Sequence, residues 1–117
     1  MRLNEVTYDD SRPIDGYGPG FFRIGGEVIE GAVLLRPEGP LGWGGYDDRE
    51  GLRAVAATVD VLFVGTGAET AHIPRDLRDE LEEAGLGVEA MATGPACRTY
   101  NVLLSEGRRI AAALLPV

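Results

Sequence analysis

At 117 residues, 44% hydrophobic and 26% charged, the chain has the size and composition of one ordinary folded domain, 1–117, and its composition argues against both global disorder and a membrane class. A formal net charge of −8 repels phosphate backbones and anionic headgroups, so no nucleic-acid partner is expected. All 11 basic residues are arginine, which excludes a Schiff-base lysine and a P-loop lysine.

Residues 1–20 are dense in Asp, Gly and Pro, with Pro13, Gly16, Gly18, Pro19 and Gly20 closely spaced, and read as a loop-rich lead-in. Phe21 to Ile24 and Glu27 to Ile29 flank Gly25-Gly26, a pair suited to the positive φ angles of a tight hairpin. Ala32 to Arg36 forms the next strand, ended by Pro37. Four glycines, a proline and Trp43 make Glu38 to Tyr46 a loop. Asp47 and Glu50 then give a capping-box-like start to a short helix carrying Leu52, Val55 and Ala56.

Val59 to Val64 is apolar except for Asp60, as befits a central strand covered on both faces. Pro74 suits the first turn of a second helix, with Leu77, Leu81 and Ala84 as its inward stripe, a charged solvated face opposite, and Gly85 as its stop. Leu86 to Ala90 is the following strand. Thr93 starts a third helix, with Ala96, Tyr100, Leu103 and Leu104 on one face, which ends at Gly107 before a last strand from Arg109 to Leu115. The whole is an α/β fold: a hairpin followed by a strand-helix-strand crossover.

Parallel strands finish at one sheet edge, so Gly65-Thr66-Gly67 and Thr93-Gly94-Pro95 are expected to emerge together and to offer the best place for a crevice. Glycines allow close backbone approach there, the third helix's first N–H groups suit an anion, and Arg98 adds a guanidinium fork. A tight turn beside an ordinary capped helix explains the same residues. Asn101, inside a helix, answers either to a tertiary hydrogen bond with a neighbouring loop or to a ligand. Gly65, Thr66, Gly67, Thr93, Arg98 and Asn101 are thus the candidate ligand-binding set.

No catalytic set is complete. Cys97 is the only cysteine and His72 the only histidine, so neither a disulfide nor a Cys/His metal cluster can form within the chain, and no metal or cofactor is expected. A helix start beside Arg98 is where a reactive thiol would arise, but a lone cysteine is ordinarily a small buried hydrophobe, and His72 reads as leading into its helix. No apolar run reaches the ~20 residues of a spanning helix. Met1 to Asp10 has neither an apolar signal stretch nor an Arg-rich transit pattern, so a cytoplasmic location without membrane insertion is expected.

Five segments resemble a known family: Tyr17-Gly18-Pro19-Gly20-Phe21, Gly31 to Leu35 with Pro37, Gly65-Thr66-Gly67, Gly87-Val88-Glu89 with Met91-x-Thr93, and Ala96 with Arg98-Thr99-Tyr100-Asn101. Their order and spacing are similar to those of the mitochondrial respiratory complex I assembly factor 3 family and its bacterial and archaeal relatives, of Mth-like fold. The resemblance implies a three-layer fold around a mixed central sheet, with helices on it and an additional β-hairpin layer. It implies no established enzyme activity; the eukaryotic relatives bind a partner factor and early peripheral subunits of complex I. Two functions follow as expectations: a non-enzymatic interaction or assembly protein with protein partners, or a small-ligand or anion-binding domain, with or without enzyme activity, whose crevice lies at the Gly65 turn and the Thr93 helix start.

Overall fold

The computed structural model describes residues 12–117. The readings made for Met1 to Asp10, and for the beginning of the lead-in, lie outside the described residues. The rest of the lead-in is not a loop: Ile14–Gly18 is strand β1, antiparallel to β2 (Phe21–Ile24) with an irregularity between Ile14 and Gly16. Glycine and proline lower strand propensity here, yet burying Ile14 and pairing with β2 outweigh that preference. Gly25 and Gly26, at φ 57° and 84°, make the expected turn into β3 (Glu27–Glu30), which completes a three-stranded sheet.

Strand β4 (Val33–Arg36) turns at Pro37 into β5 (Gly39–Gly42), where a loop was expected. The Trp43 N–H donates to the Ala32 carbonyl, which in an antiparallel ladder puts Pro40 at a position whose nitrogen faces away from β4. Proline is tolerated on such an edge, so a segment with poor strand composition still pairs. The short helix α1 (Glu50–Ala56) follows, but its N-cap is Arg49 and no side chain caps it. The Asp47 capping box therefore does not form; Asp48, next to it, accepts the Gly44 N–H and holds the preceding loop instead.

The remaining elements are β6 (Val61–Gly65), α2 (Arg75–Glu83), β7 (Gly87–Met91), α3 (Thr93–Ser105) and β8 (Ile110–Leu114). The large sheet runs β5-β4-β8-β6-β7, with β6 parallel to both its neighbours and the other pairs antiparallel. Alternation sends Leu62, Val64, Ala111 and Ala113 to one face, where α1 and α2 cover them with Leu52, Val55, Leu77 and Leu81. Phe63, Ile110, Ala112 and Leu114 point to the other face, against Ala96, Cys97 and Tyr100 of α3 and Ile14, Phe22 and Ile24 of the small sheet. The result is the three-layer α/β fold with a mixed central sheet and an extra β layer.

Two details of α2 differ from the sequence reading. Pro74 is its N-cap, and Ala84 is its exposed C-cap instead of a member of the inward stripe. Part of its charged face also has partners: Arg49 bridges Asp76 at 2.9 Å and Glu80 at 3.2 Å, and Arg53 pairs with Glu80, joining α1 to α2. These guanidiniums hold both carboxyls below the usual carboxylate range.

Trp43 is the chain's only tryptophan, 7% exposed, with its indole N–H on the Asp48 carbonyl at 3.0 Å, so its fluorescence reports unfolding directly. Followed that way in urea, Leu81→Ala is expected to cost about 2–5 kcal/mol through lost burial and a residual cavity. Val28→Ala, at an exposed site, is expected to stay within about 0.5 kcal/mol.

Candidate functional site

Because β6 and β7 are parallel, the turn after Gly65 and the start of α3 leave the sheet on the same side. They meet through Thr93, whose side chain is fully buried. The Thr93 hydroxyl accepts the Gly67 N–H at 2.9 Å and donates to the Leu115 carbonyl at 2.7 Å, while the Thr93 N–H donates to the Gly67 carbonyl at 2.8 Å. Leu115 in turn donates to the Gly65 carbonyl at 2.9 Å. One side chain therefore joins the ends of β6 and β8 to the first residue of α3.

The glycines follow from this seam. A Cβ at Gly65 would lie 2.8 Å from the Thr93 hydroxyl and 2.9 Å from Leu114 Cδ2, so only glycine permits the approach, and Gly67 at φ 102° adopts a backbone that favours glycine. Thr66 fixes the next loop: its N–H donates to the Met91 carbonyl at 2.8 Å, and its hydroxyl donates to the Glu69 carbonyl at 2.6 Å and accepts the Ala71 N–H at 3.1 Å.

Gly65, Thr66, Gly67 and Thr93 are thus brought together, in direct contact along a hydrogen-bonded line. Of the helix-start donors, the Thr93 N–H is given to Gly67 and Pro95 has none. Arg98 and Asn101 are not brought to that line. Asn101 lies eight residues past Thr93, about 12 Å along the helix axis. Its amide oxygen accepts the Ile14 N–H and its amide nitrogen donates to the Ile14 carbonyl, both at 2.8 Å, so the side chain pairs with β1 as another strand residue would. The mid-helix asparagine was the signal for such a link; β1 as its partner was not legible while that segment read as a loop.

Arg98 is exposed on α3, its guanidinium 3.6 Å from where a Gly94 Cβ would stand, and the half-exposed Tyr17 hydroxyl packs on the same Gly94. This contact, which sequence reasoning missed, joins the Tyr17–Phe21 and Thr93–Asn101 segments. The bare Gly94 in a helix's first turn was its only sign.

Cys97 is 4% exposed, inside the cluster with Phe22 and Phe63. Burial pushes its thiol up to about 11, and the charge of Arg98 offsets this only in part. A reactive thiol needs the opposite shift. His72 is exposed in the loop before α2, and its neighbour Ile73 packs on the other face of the central sheet, so the sheet separates the histidine from the cysteine. His72 instead lines a groove of about 460 Å³ with Ile73, Arg75, Arg78, Asp79 and Glu82.

Comparison with known proteins bears on this arrangement. The family described as protein of unknown function (DUF498/DUF598) matches residues 14–115. An uncharacterised protein of Rhodobacter capsulatus is 52% identical over 117 residues, covering 100% of this chain and 94% of that protein. NADH dehydrogenase [ubiquinone] 1 alpha subcomplex assembly factor 3 of Danio rerio is 36% identical over 110 residues, 88% of this chain, which spans only 63% of the factor's length. Among solved structures, one described as an outer membrane protein from Bartonella henselae has a TM-score of 0.84 at 36% identity, covering 91% of this chain and 95% of that one. A Mth938-like domain of Bordetella pertussis has a TM-score of 0.76 at 29% identity, covering 99% and 92%.

Two measurements probe the seam and the thiol. Thr93→Val leaves the Gly67 N–H and the Leu115 carbonyl without their partner and is expected to cost about 2–4 kcal/mol, with Thr93→Ser recovering most of it. For Cys97 the unfolded thiol ionises from about its ordinary 9.0 while the folded one stays neutral to about 11. The folded state then holds more protons, so this contribution is complete below pH 9 and declines as pH rises toward 11. Stability measured across that window is expected to fall more steeply for the parent chain than for Cys97→Ala.

Proposed function

Because the chain belongs to the DUF498/DUF598 family, we propose that it is a protein-binding assembly factor without catalytic chemistry of its own, acting in the cytoplasm on a respiratory NADH dehydrogenase. The observation that carries this reading is the 36% identity to an NADH dehydrogenase assembly factor across 88% of the chain. The site chemistry supports it. The polar groups where β6, β7 and α3 meet are engaged in joining backbone segments, and the one thiol is buried and neutral near pH 7.

A second reading, binding of a small anion, is supported by Arg98 and the Tyr17 hydroxyl converging on Gly94 at the start of α3. The ligand would then lie at Gly94, between Arg98 and the Tyr17 hydroxyl. Isothermal titration with inorganic phosphate distinguishes it: measurable binding that Arg98→Ala abolishes favours this reading.

Deleting the gene in its native host is expected to lower the amount of fully assembled NADH dehydrogenase and its membrane activity, with restoration by the parent chain and by Cys97→Ala. Normal assembly in the deletion strain, together with no dehydrogenase subunit in affinity captures, would count against the assembly reading.

A further inference from the structure

The two sheets present four open edges, and three are blunted. On β1 the Asn101 amide occupies the outward N–H and carbonyl of Ile14. On β5 the outward positions are Pro40, which has no N–H to give, and Gly42 at the strand's last residue. The four-residue β3 is bounded by Glu27 and Glu30, and charge on a short edge discourages pairing.

The β7 edge is different. Gly87 donates to the Asp60 carbonyl and the Met91 carbonyl accepts from Thr66, so Gly87, Glu89 and Met91 face β6 while Val88 and Ala90 turn their backbone groups outward. Side chains reach both ends of this row: Arg78 Nη1 donates to the Val88 carbonyl at 3.1 Å, and the Thr70 hydroxyl accepts the Ala92 N–H at 3.3 Å. Between them stand the outward N–H and carbonyl of Ala90, which bond to no other described residue. Beside the edge, on the α2 side from which Arg78 reaches, runs the 460 Å³ groove with Asp79 and Glu82 in its wall. Exposed Glu83, one helical turn beyond Asp79 on α2, adds a third carboxylate against the guanidiniums of Arg75 and Arg78, and the chain as a whole carries −8, so the surroundings are acidic on balance.

We propose that β7 is a strand-addition edge whose occupant is an extended segment of a partner protein carrying arginine or lysine at alternate positions. The inference rests on the assembly-factor reading and names its partner class. Backbone bonds to Ala90 and Val88 supply the pairing, and alternation places every second side chain over the α2 groove, where a cation meets Asp79 and Glu82. Arg78 holds the place of the missing strand: it leaves the Val88 carbonyl on docking and keeps Glu82, with which it already pairs at 3.3 Å.

The test uses a short end-capped peptide of alternating arginine and valine, with a glutamate-valine peptide for comparison, and reads affinity and backbone amide exchange. Binding of the arginine peptide is expected to slow exchange at Ala90. Ala90→Pro removes an outward N–H and leaves the bonds to β6 in place, so affinity is expected to fall about tenfold or more, while Ala90→Val keeps it. Glu82→Lys together with Asp79→Lys, both in the groove wall, is expected to weaken binding comparably. Equal binding by Ala90→Pro, equal binding of the glutamate peptide, no binding of either, or unchanged exchange at Ala90 would each overturn the proposal; the exchange result needs no variant and decides the matter even if Ala90→Pro does not fold. A dehydrogenase subunit captured equally by the parent chain and Ala90→Pro would also overturn the edge while leaving the assembly reading intact. Normal dehydrogenase assembly on deletion would remove that reading instead.

Discussion

The Thr93 hydroxyl is the smallest group on which the arrangement of the layers depends. It accepts from the turn after β6 and donates to the end of β8, and the backbone of the same residue donates back to that turn. Three segments far apart in sequence are held within one side chain's reach, in a buried place where water cannot replace a lost partner. A satisfied hydrogen bond there adds only about 1 kcal/mol, but a vacated one leaves a desolvated group that costs about 1–3 kcal/mol. The asymmetry makes this a constraint on geometry more than a source of stability. It explains Gly65 as well, since the strand must come within contact of Thr93 for the hydroxyl to reach Gly67.

With α3 anchored at Thr93, its direction sets the place of the small sheet. Ala96, Cys97 and Tyr100 lie against Phe22, Ile24 and Ile14, and two turns beyond Thr93 the Asn101 amide pairs with the open edge of β1. The helix thus holds the hairpin layer both by apolar contact and by a substitute for a neighbouring strand. Apolar burial supplies most of the attraction, and it is tolerant of sliding; two hydrogen bonds to one residue of β1 are not. Register between the layers comes from Asn101.

The elements visible in the sequence were those whose signals are local. The Gly25-Gly26 turn needs two residues with positive φ, and the apolar runs of β6 and β8 need only a covered sheet. The strands at Ile14–Gly18 and Gly39–Gly42 were hidden because each is made acceptable by its neighbour: β2 and α3 support the first, and the edge position of Pro40 permits the second. The α1 cap failed for a related reason, since Asp48 is drawn to Gly44 by the loop around Trp43. Of the candidate site, the sheet edge shared by Gly65 and Thr93 was legible from strand direction alone. That the two would touch, and that Asn101 would turn toward β1, depended on distances that no pattern of residue types records.

The use made of polar groups in this fold separates two kinds of work. An active site requires polar atoms held in place but left free to act on a substrate. Here Thr66, Thr93 and Asn101 have their polar atoms committed to backbone partners. Among the described residues the exposed large hydrophobics, Tyr17, Val28, Leu41, Val102 and Val117, stand on four different elements and the C-terminal residue. What a partner could read is then chiefly backbone and charge, and both are concentrated beside β7, where Ala90 turns outward and carboxylates outnumber guanidiniums. A surface of that kind recognises an extended chain by its direction and its alternation of charge, which suits the holding of another polypeptide before it reaches its final neighbours.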